Sequence, residues 1–196
     1  MQSILMMEAE KMLIDITLKI TPDMVKAAPG NETKALTGHL GTHFDVMNKE
    51  FSLDYTRRSG IVFDVSHVIG RDIAVSDIDI RMVSQGMFAA FYTGFIEEVG
   101  YGGQKYFGEH PQLSDELIDA LIDKGVSLIG LDFAGVRRGK AHTPKDQYCA
   151  DRGVFIIENL CNLKAVVEAG GQFTAHTYPV NYVGMTGLPC RVIAEV

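Results

Sequence analysis

Cysteine is scarce in this chain of 196 residues. Its three copies, Cys149, Cys161 and Cys190, are odd in number, far apart and free of any CxxC spacing. That pattern argues against a disulfide framework and a thiolate metal site, and it suits a reducing, cytoplasmic compartment. Long apolar runs are also missing, so no membrane span is expected. The opening MQSILMMEAEKM has no basic segment followed by an apolar one, and no secretory signal is expected there. Positive charge is in deficit. Eighteen Lys and Arg face 25 Asp and Glu, for a formal net charge of −7, and basic residues cluster only at Arg137, Arg138 and Lys140. Nucleic acid, which needs a basic face, is therefore not an expected partner. Repeats, low-complexity tracts and Pro/Ser-rich linkers are absent as well, which leaves one domain over residues 1–196.

What is present is an ordinary globular composition, 46% hydrophobic and 22% charged. MLIDITLKI and GIVFDVSHVI read as strands. VSDIDIRMVSQG suggests a short helix, with Ser76 as its N-cap and Gly86 just past its end. GMFAAFYTGF reads as a buried strand or strand pair. LSDELIDALIDKG is the clearest helix. Ser114 caps it, Leu117 with Leu121 and Ile118 with Ile122 give i, i+4 spacing, and Gly125 ends it. VSLIGLDF is a continuous apolar run, as in a buried strand. PKDQYCADRG fits a short helix, VFIIENL a strand and NLKAVVEAGG a helix. The tail reads as strands with turns at Gly184 and Gly187. The whole is a mixed α/β domain.

One stretch carries chemistry. GHLGTHFDVMNKE, residues 38–50, holds His39, His43 and Asp45 with Gly41 and Thr42 between the histidines. Gly41 permits a tight bend. Beyond it, extended backbone puts His43 and Asp45 on one face, since strand side chains repeat every two residues. Two imidazoles and a carboxylate match the ligand set of a catalytic zinc or manganese ion, with Thr42 placed to orient a ligand. Polar residues satisfied within a loop are the competing reading.

HLGTHFD resembles the His-x-Gly-Thr-His-x-Asp signature of the cyclase family of metal-dependent hydrolases, whose best-known members are bacterial kynurenine formamidases. MLIDITLKITPDM, FYTGF, YFGEHPQLSDELIDALIDKGVSLIGLDFAGV, GVFIIENLCNL and GMTGLPCRVIAEV are similar to further family segments, in family order and over nearly the whole chain. The resemblance implies a swivelling β/β/α fold, a mixed sheet with flanking helices. It also implies a homodimer or homotetramer and a divalent metal, zinc or manganese. The activity it implies is hydrolysis of a small-molecule amide, formamide or cyclic imide or lactam C–N bond. His39, His43 and Asp45 become metal ligands, with Asp45 bridging where two metals bind and Glu158 serving the second.

Two positions depart from the family. Its signature continues as Asp-x-Pro-x-His, and that histidine helps to move protons. Here the run is DVMNK, with Met47 and Lys49 in those places. The family histidine twelve residues before the glutamate ligand is Asp146 here. Asp146 hardens the second metal position toward manganese or magnesium. Lys49 is expected either to stabilise an oxyanion or to set its ammonium against Asp146 and Glu158 in place of a second cation. Proton transfer then falls to Asp146 or Glu158. The alternative is a non-catalytic metal- or ligand-binding relative. His142, four residues before Asp146, supplies the missing ligand if that segment is helical, or is a solvated loop histidine. Cys149 reads as a buried small hydrophobe, and His110 as shaping a turn before the helix. Arg137, Arg138 and Lys140 read as an anion-attracting strand end or an exposed loop. Phe44, Phe88, Phe91 and Tyr92 read as pocket lining or core.

Overall fold

The computed structural model describes residues 11–26 and 30–196. Eight strands form one sheet: β1 (Leu13–Asp15), β2 (His43–Asp45), β3 (Arg57–Asp64), β4 (Phe88–Tyr92), β5 (Leu128–Leu131), β6 (Phe155–Glu158), β7 (Gln172–Pro179) and β8 (Gly187–Glu195). Their order is β1-β8-β2-β6-β5-β4-β3-β7, and β7 pairs back onto β8, so the sheet closes on itself. β3, β4, β5 and β6 run parallel, and the other pairings are antiparallel. The expected mixed sheet with flanking helices is present, with the addition of that closure.

Over their central residues the parallel strands have no polar face. Their two-residue alternation instead divides apolar side chains between two cores. Ile61, Phe63, Ala89, Phe91, Ile129, Leu131 and Ile156 pack on one side with Leu117, Ile118 and Leu121 of the amphipathic helix α5 (Asp115–Asp123). Val62, Phe88, Ala90, Leu128, Phe155 and Ile157 pack on the other. There they meet Phe173 and Ala175 of β7, Val192 and Ala194 of β8, and Leu163 and Val166 of α7 (Leu163–Glu168). Phe44, Phe88 and Phe91 are thus core residues. The Ser114 hydroxyl caps α5 by accepting from the Leu117 N–H at 3.1 Å.

Several elements differ from the sequence reading. Residues 75–86 hold two 3₁₀ turns, Val75–Asp77 and Ile80–Met82, instead of one helix capped by Ser76. The reason is local. Asp77 accepts from the Ala74 N–H and pairs with Arg71, while Asp79 accepts from the Arg81 N–H. Side chains that capture nearby backbone donors compete with continuous helix. Gly187 is the first residue of β8 rather than a turn. It lies so close to Gly38 that a Cβ on either would meet the other's backbone. Four short helices escaped the periodicity reading: α1 (Pro22–Lys26), α2 (Asn31–Leu36), α3 (Phe95–Val99) and α4 (Gln104–Glu109). Five or six residues are too few to display an amphipathic period. Helix α6 (His142–Ala150) begins two residues before the stretch that suggested it.

Candidate metal centre

β2 is three residues long and lies between β6 and β8. Its antiparallel register sets His43 opposite Glu158, Phe44 opposite Ile157 and Asp45 opposite Ile156. Phe44 points into the core, so His43 and Asp45 share the other face with Glu158. The bend before β2 brings His39 back onto the same spot. Gly41 makes that bend at φ +74°, where a side chain would be strained and its Cβ would meet Ile20 at 2.8 Å.

The result is a tight polar cluster. His39 Nδ1 lies 3.0 Å from His43 Nε2 and 3.1 Å from Asp45 Oδ1. His43 Nε2 lies 3.5 Å from Asp45 Oδ1 and 3.6 Å from Glu158 Oε2. His43 Nδ1 donates to the Gly41 carbonyl at 2.8 Å, which leaves Nε2 as the lone-pair nitrogen facing the cluster. The same carbonyl accepts from Asn159 Nδ2, and Asn159 Oδ1 accepts from the Tyr106 hydroxyl. Thr42 binds no ligand side chain. Its hydroxyl donates to the Asn159 carbonyl at 2.7 Å and accepts from the Leu18 N–H at 2.8 Å, tying the β2 entry to the end of β6.

The second half of the cluster comes from α6. His142 Nε2 is 3.1 Å from Asp146 Oδ2, one helical turn on, and 3.2 Å from Glu158 Oε1. Gly135 makes room for it, since a Cβ there would stand 2.6 Å from the imidazole. His142, not Lys49, completes this half. Lys49 Nζ reaches Asp151 at 2.6 Å, past the end of α6, and both side chains are more than a third exposed. The expectation that its ammonium sits on Asp146 and Glu158 is therefore corrected. β2 ends at Asp45, and Met47 turns the chain at φ +56°, carrying Lys49 outward.

Two ligand sets result. His39, His43 and Asp45 form one, and Asp45, His142, Asp146 and Glu158 form the other; within each, the ligand atoms lie within 4.8 Å of one another. Asp45 belongs to both. Asp45, Asp146 and Glu158 are each at most 4% exposed. Asp45 Oδ2 and Asp146 Oδ1 are buried and meet no hydrogen-bond partner among the described residues, and the buried Glu158 Oε1 faces only the His142 ring at 3.2 Å. An unsatisfied buried carboxylate oxygen is costly, and such oxygens within two clustered ligand sets fit a divalent cation. The carboxylates dominate the local field, which favours positive charge at this spot. Burial disfavours the charged His43 ring, but Asp45 and Glu158 outweigh it and raise its pKa to about 9. Burial likewise opposes charge on His142, yet Asp146 and Glu158 lift it to about 11. Burial itself raises Asp146 to about 7, reinforced by Asp45 and Glu158.

The remaining candidates have other employment. Arg137 holds Asp72 and the Leu113 carbonyl. Cys149 is buried, and burial pushes its thiol up to about 12. His110 is buried, hydrogen-bonds the Pro111 carbonyl and stacks on Phe133. No helix among the described residues is long and apolar enough to cross a membrane.

A carboxylate–imidazole cluster on a closed mixed sheet with flanking helices defines a protein with a metal-site architecture. The family model described as "Putative cyclase" matches residues 14–137, and the chain belongs to that family. Solved structures share the fold. A potential metal-dependent hydrolase with cyclase activity superposes with a TM-score of 0.75 at 24% identity, over 95% of this chain and 98% of that one. A predicted metal-dependent hydrolase from Bacillus stearothermophilus does so with 0.69 at 22%, over 95% and 99%. Isatin hydrolase A from Labrenzia aggregata gives 0.75 at 16%, over 95% and 94%. No curated protein matches the chain by sequence.

Proposed function

We propose that the protein is a metal-dependent hydrolase of a small amide, formamide or cyclic imide or lactam C–N bond. The carrying observation is the convergence of three buried carboxylates, Asp45, Asp146 and Glu158, with the imidazoles of His39, His43 and His142. Family membership and the shared fold with an isatin hydrolase support the same reading. His39, His43 and Asp45 would hold one cation, and Asp45, His142, Asp146 and Glu158 a second. A divalent cation supplies Lewis acidity there, acidifying water and polarising a carbonyl. Zinc and manganese both suit the donor set, and the carboxylate-rich second group favours the harder ion.

The chain's own contribution is orientation and proton handling. Gly41 and Asn159 fix the His43 tautomer. Gly135 and Asp146 fix the His142 ring. Glu158, opposite His43 and beside His142, is assigned to carry the proton to the leaving nitrogen. A second reading, a cation-binding relative without turnover, is favoured by one observation. Lys49 stands where the family's proton-moving histidine would be, and it is engaged with Asp151. Metal analysis of purified protein, followed by assays on formanilide and a cyclic imide with zinc or manganese, separates the two. Hydrolysis dependent on bound metal supports the enzyme. Bound metal without turnover supports the relative.

A further inference from the structure

Lys34 is a cation near the metal centre whose charge the structure leaves unanswered. It lies in α2, whose end leads into the ligand turn, and its carbonyl accepts from the His39 N–H at 2.7 Å. Its side chain is half-buried. The ammonium stands 2.9 Å from the centroid of the Phe107 ring, which seats one side of it. No carboxylate whose side chain is described lies within ion-pair distance of it; the exposed Lys19, Lys105, Lys124 and Lys140 are likewise unpaired, but Lys34 is half-buried. The Phe107 ring continues into an aromatic wall through Tyr101 and Tyr106. Tyr101 touches the ligand turn, its hydroxyl accepting from the Gly41 N–H at 2.9 Å.

A half-buried lysine is costly to keep charged without a counter-charge. Partial burial lowers Lys34 to about 8, while the charge of Glu158 pulls it back up. An ammonium held on a ring face, with an open side and no internal partner, is built to receive an anion.

We infer that Lys34 anchors an anionic group of the substrate, so that the preferred amide carries a carboxylate beyond its scissile bond. The inference rests on the hydrolase reading above and narrows its substrate class. In this role Lys34 is a positioning residue. It holds the far end of the substrate while the ligand cluster addresses the amide.

The test compares formanilide with its carboxylated counterpart, N-formyl-aminobenzoate, in metal-loaded wild type, Lys34→Met and Lys34→Arg. Lys34→Met raises KM for the carboxylated substrate at least about tenfold more than for formanilide, and Lys34→Arg restores most of the difference. Equal effects of Lys34→Met on both substrates, or none on either, overturn the inference. Titration with benzoate against benzamide, followed by NMR, supplies a readout without turnover. Preferential benzoate binding that Lys34→Met removes supports the anchor, and benzoate binding that Lys34→Met leaves intact overturns it. Wild type that hydrolyses neither formamide counts against the hydrolase reading, and the benzoate titration then decides the role of Lys34 alone.

Discussion

Two sets of buried carboxylates lie at the ends of neighbouring parallel strands, and they are held in opposite ways. Asp132, just past β5, is saturated. It accepts from the Thr93 N–H and the Gly94 N–H at 2.7 Å each and from the Thr93 hydroxyl at 2.6 Å. Around the end of β6, Asp45 and Asp146 each leave one oxygen without a hydrogen-bond partner, and one Glu158 oxygen faces only the His142 ring. Burial pushes Asp132 up to about 7, against those three donors. It is a structural group, a clamp on the Thr-Gly turn. The other three are crowded together among imidazoles, an arrangement a bound cation would stabilise further. Burial alone does not mark a functional acid; an unanswered oxygen does.

The largest expected effect breaks the functional set at its shared member. Asp45→Ala should lower metal retention in both ligand groups by at least about 100-fold. It should also abolish the rise in Tm that zinc or manganese gives the wild type. Elemental analysis and thermal denaturation with and without metal read this directly, and a variant that still gains Tm from metal would refute the shared role. Asp132→Ala is the converse. It strands three buried donors and should cost at least about 3 kcal/mol, or roughly 6–12 °C in Tm, equally with and without metal.

His142→Ala, next in size, should weaken metal binding by about 10- to 100-fold at the second group while His39, His43 and Asp45 still bind. Calorimetry showing unchanged binding at both groups would return His142 to the status of a loop histidine. His110 sharpens the contrast from the neutral side. Burial lowers its pKa to about 4. The unfolded chain, with an ordinary imidazole, takes up that proton first. Stability should therefore fall as pH drops from about 6.5 to 4, by up to about 3 kcal/mol. In His110→Gln this part of the slope should vanish from urea-denaturation curves. The smallest effect is expected from Lys49→Ala. Its exposed pair with Asp151 is screened by solvent, so metal affinity should stay within about twofold of wild type.

The legible part of the site was the part contiguous in sequence. His39, His43 and Asp45 announce themselves because a glycine bend and a two-residue strand period act over seven positions. The α6 half is less legible. An i, i+4 pair such as His142 and Asp146 forms only if the segment is helical, and its meeting with Glu158 depends on how α6 packs on the sheet. Lys49 misled because matching its position to a family histidine ignores the chain direction after Met47. In the fold, strands with strong apolar runs and the capped α5 were readable. The closure of the sheet was not. β7 and β8 are sequence neighbours and pair as a hairpin, but closure also needs β7 on β3 and β8 on β2, long-range registers with no local signature. The same holds for residues 75–86, where aspartate side chains redirected the backbone.

The seat of β2 has a consequence for biosynthesis. This ligand strand is clamped by β6 on one side and by β8, the last strand, on the other. The histidines emerge early from the ribosome, yet their platform is complete only when the closing strand arrives. A chain without residues 187–195 would lack one wall of the cradle, so the ligand cluster is expected to form only once β8 has docked beside β2.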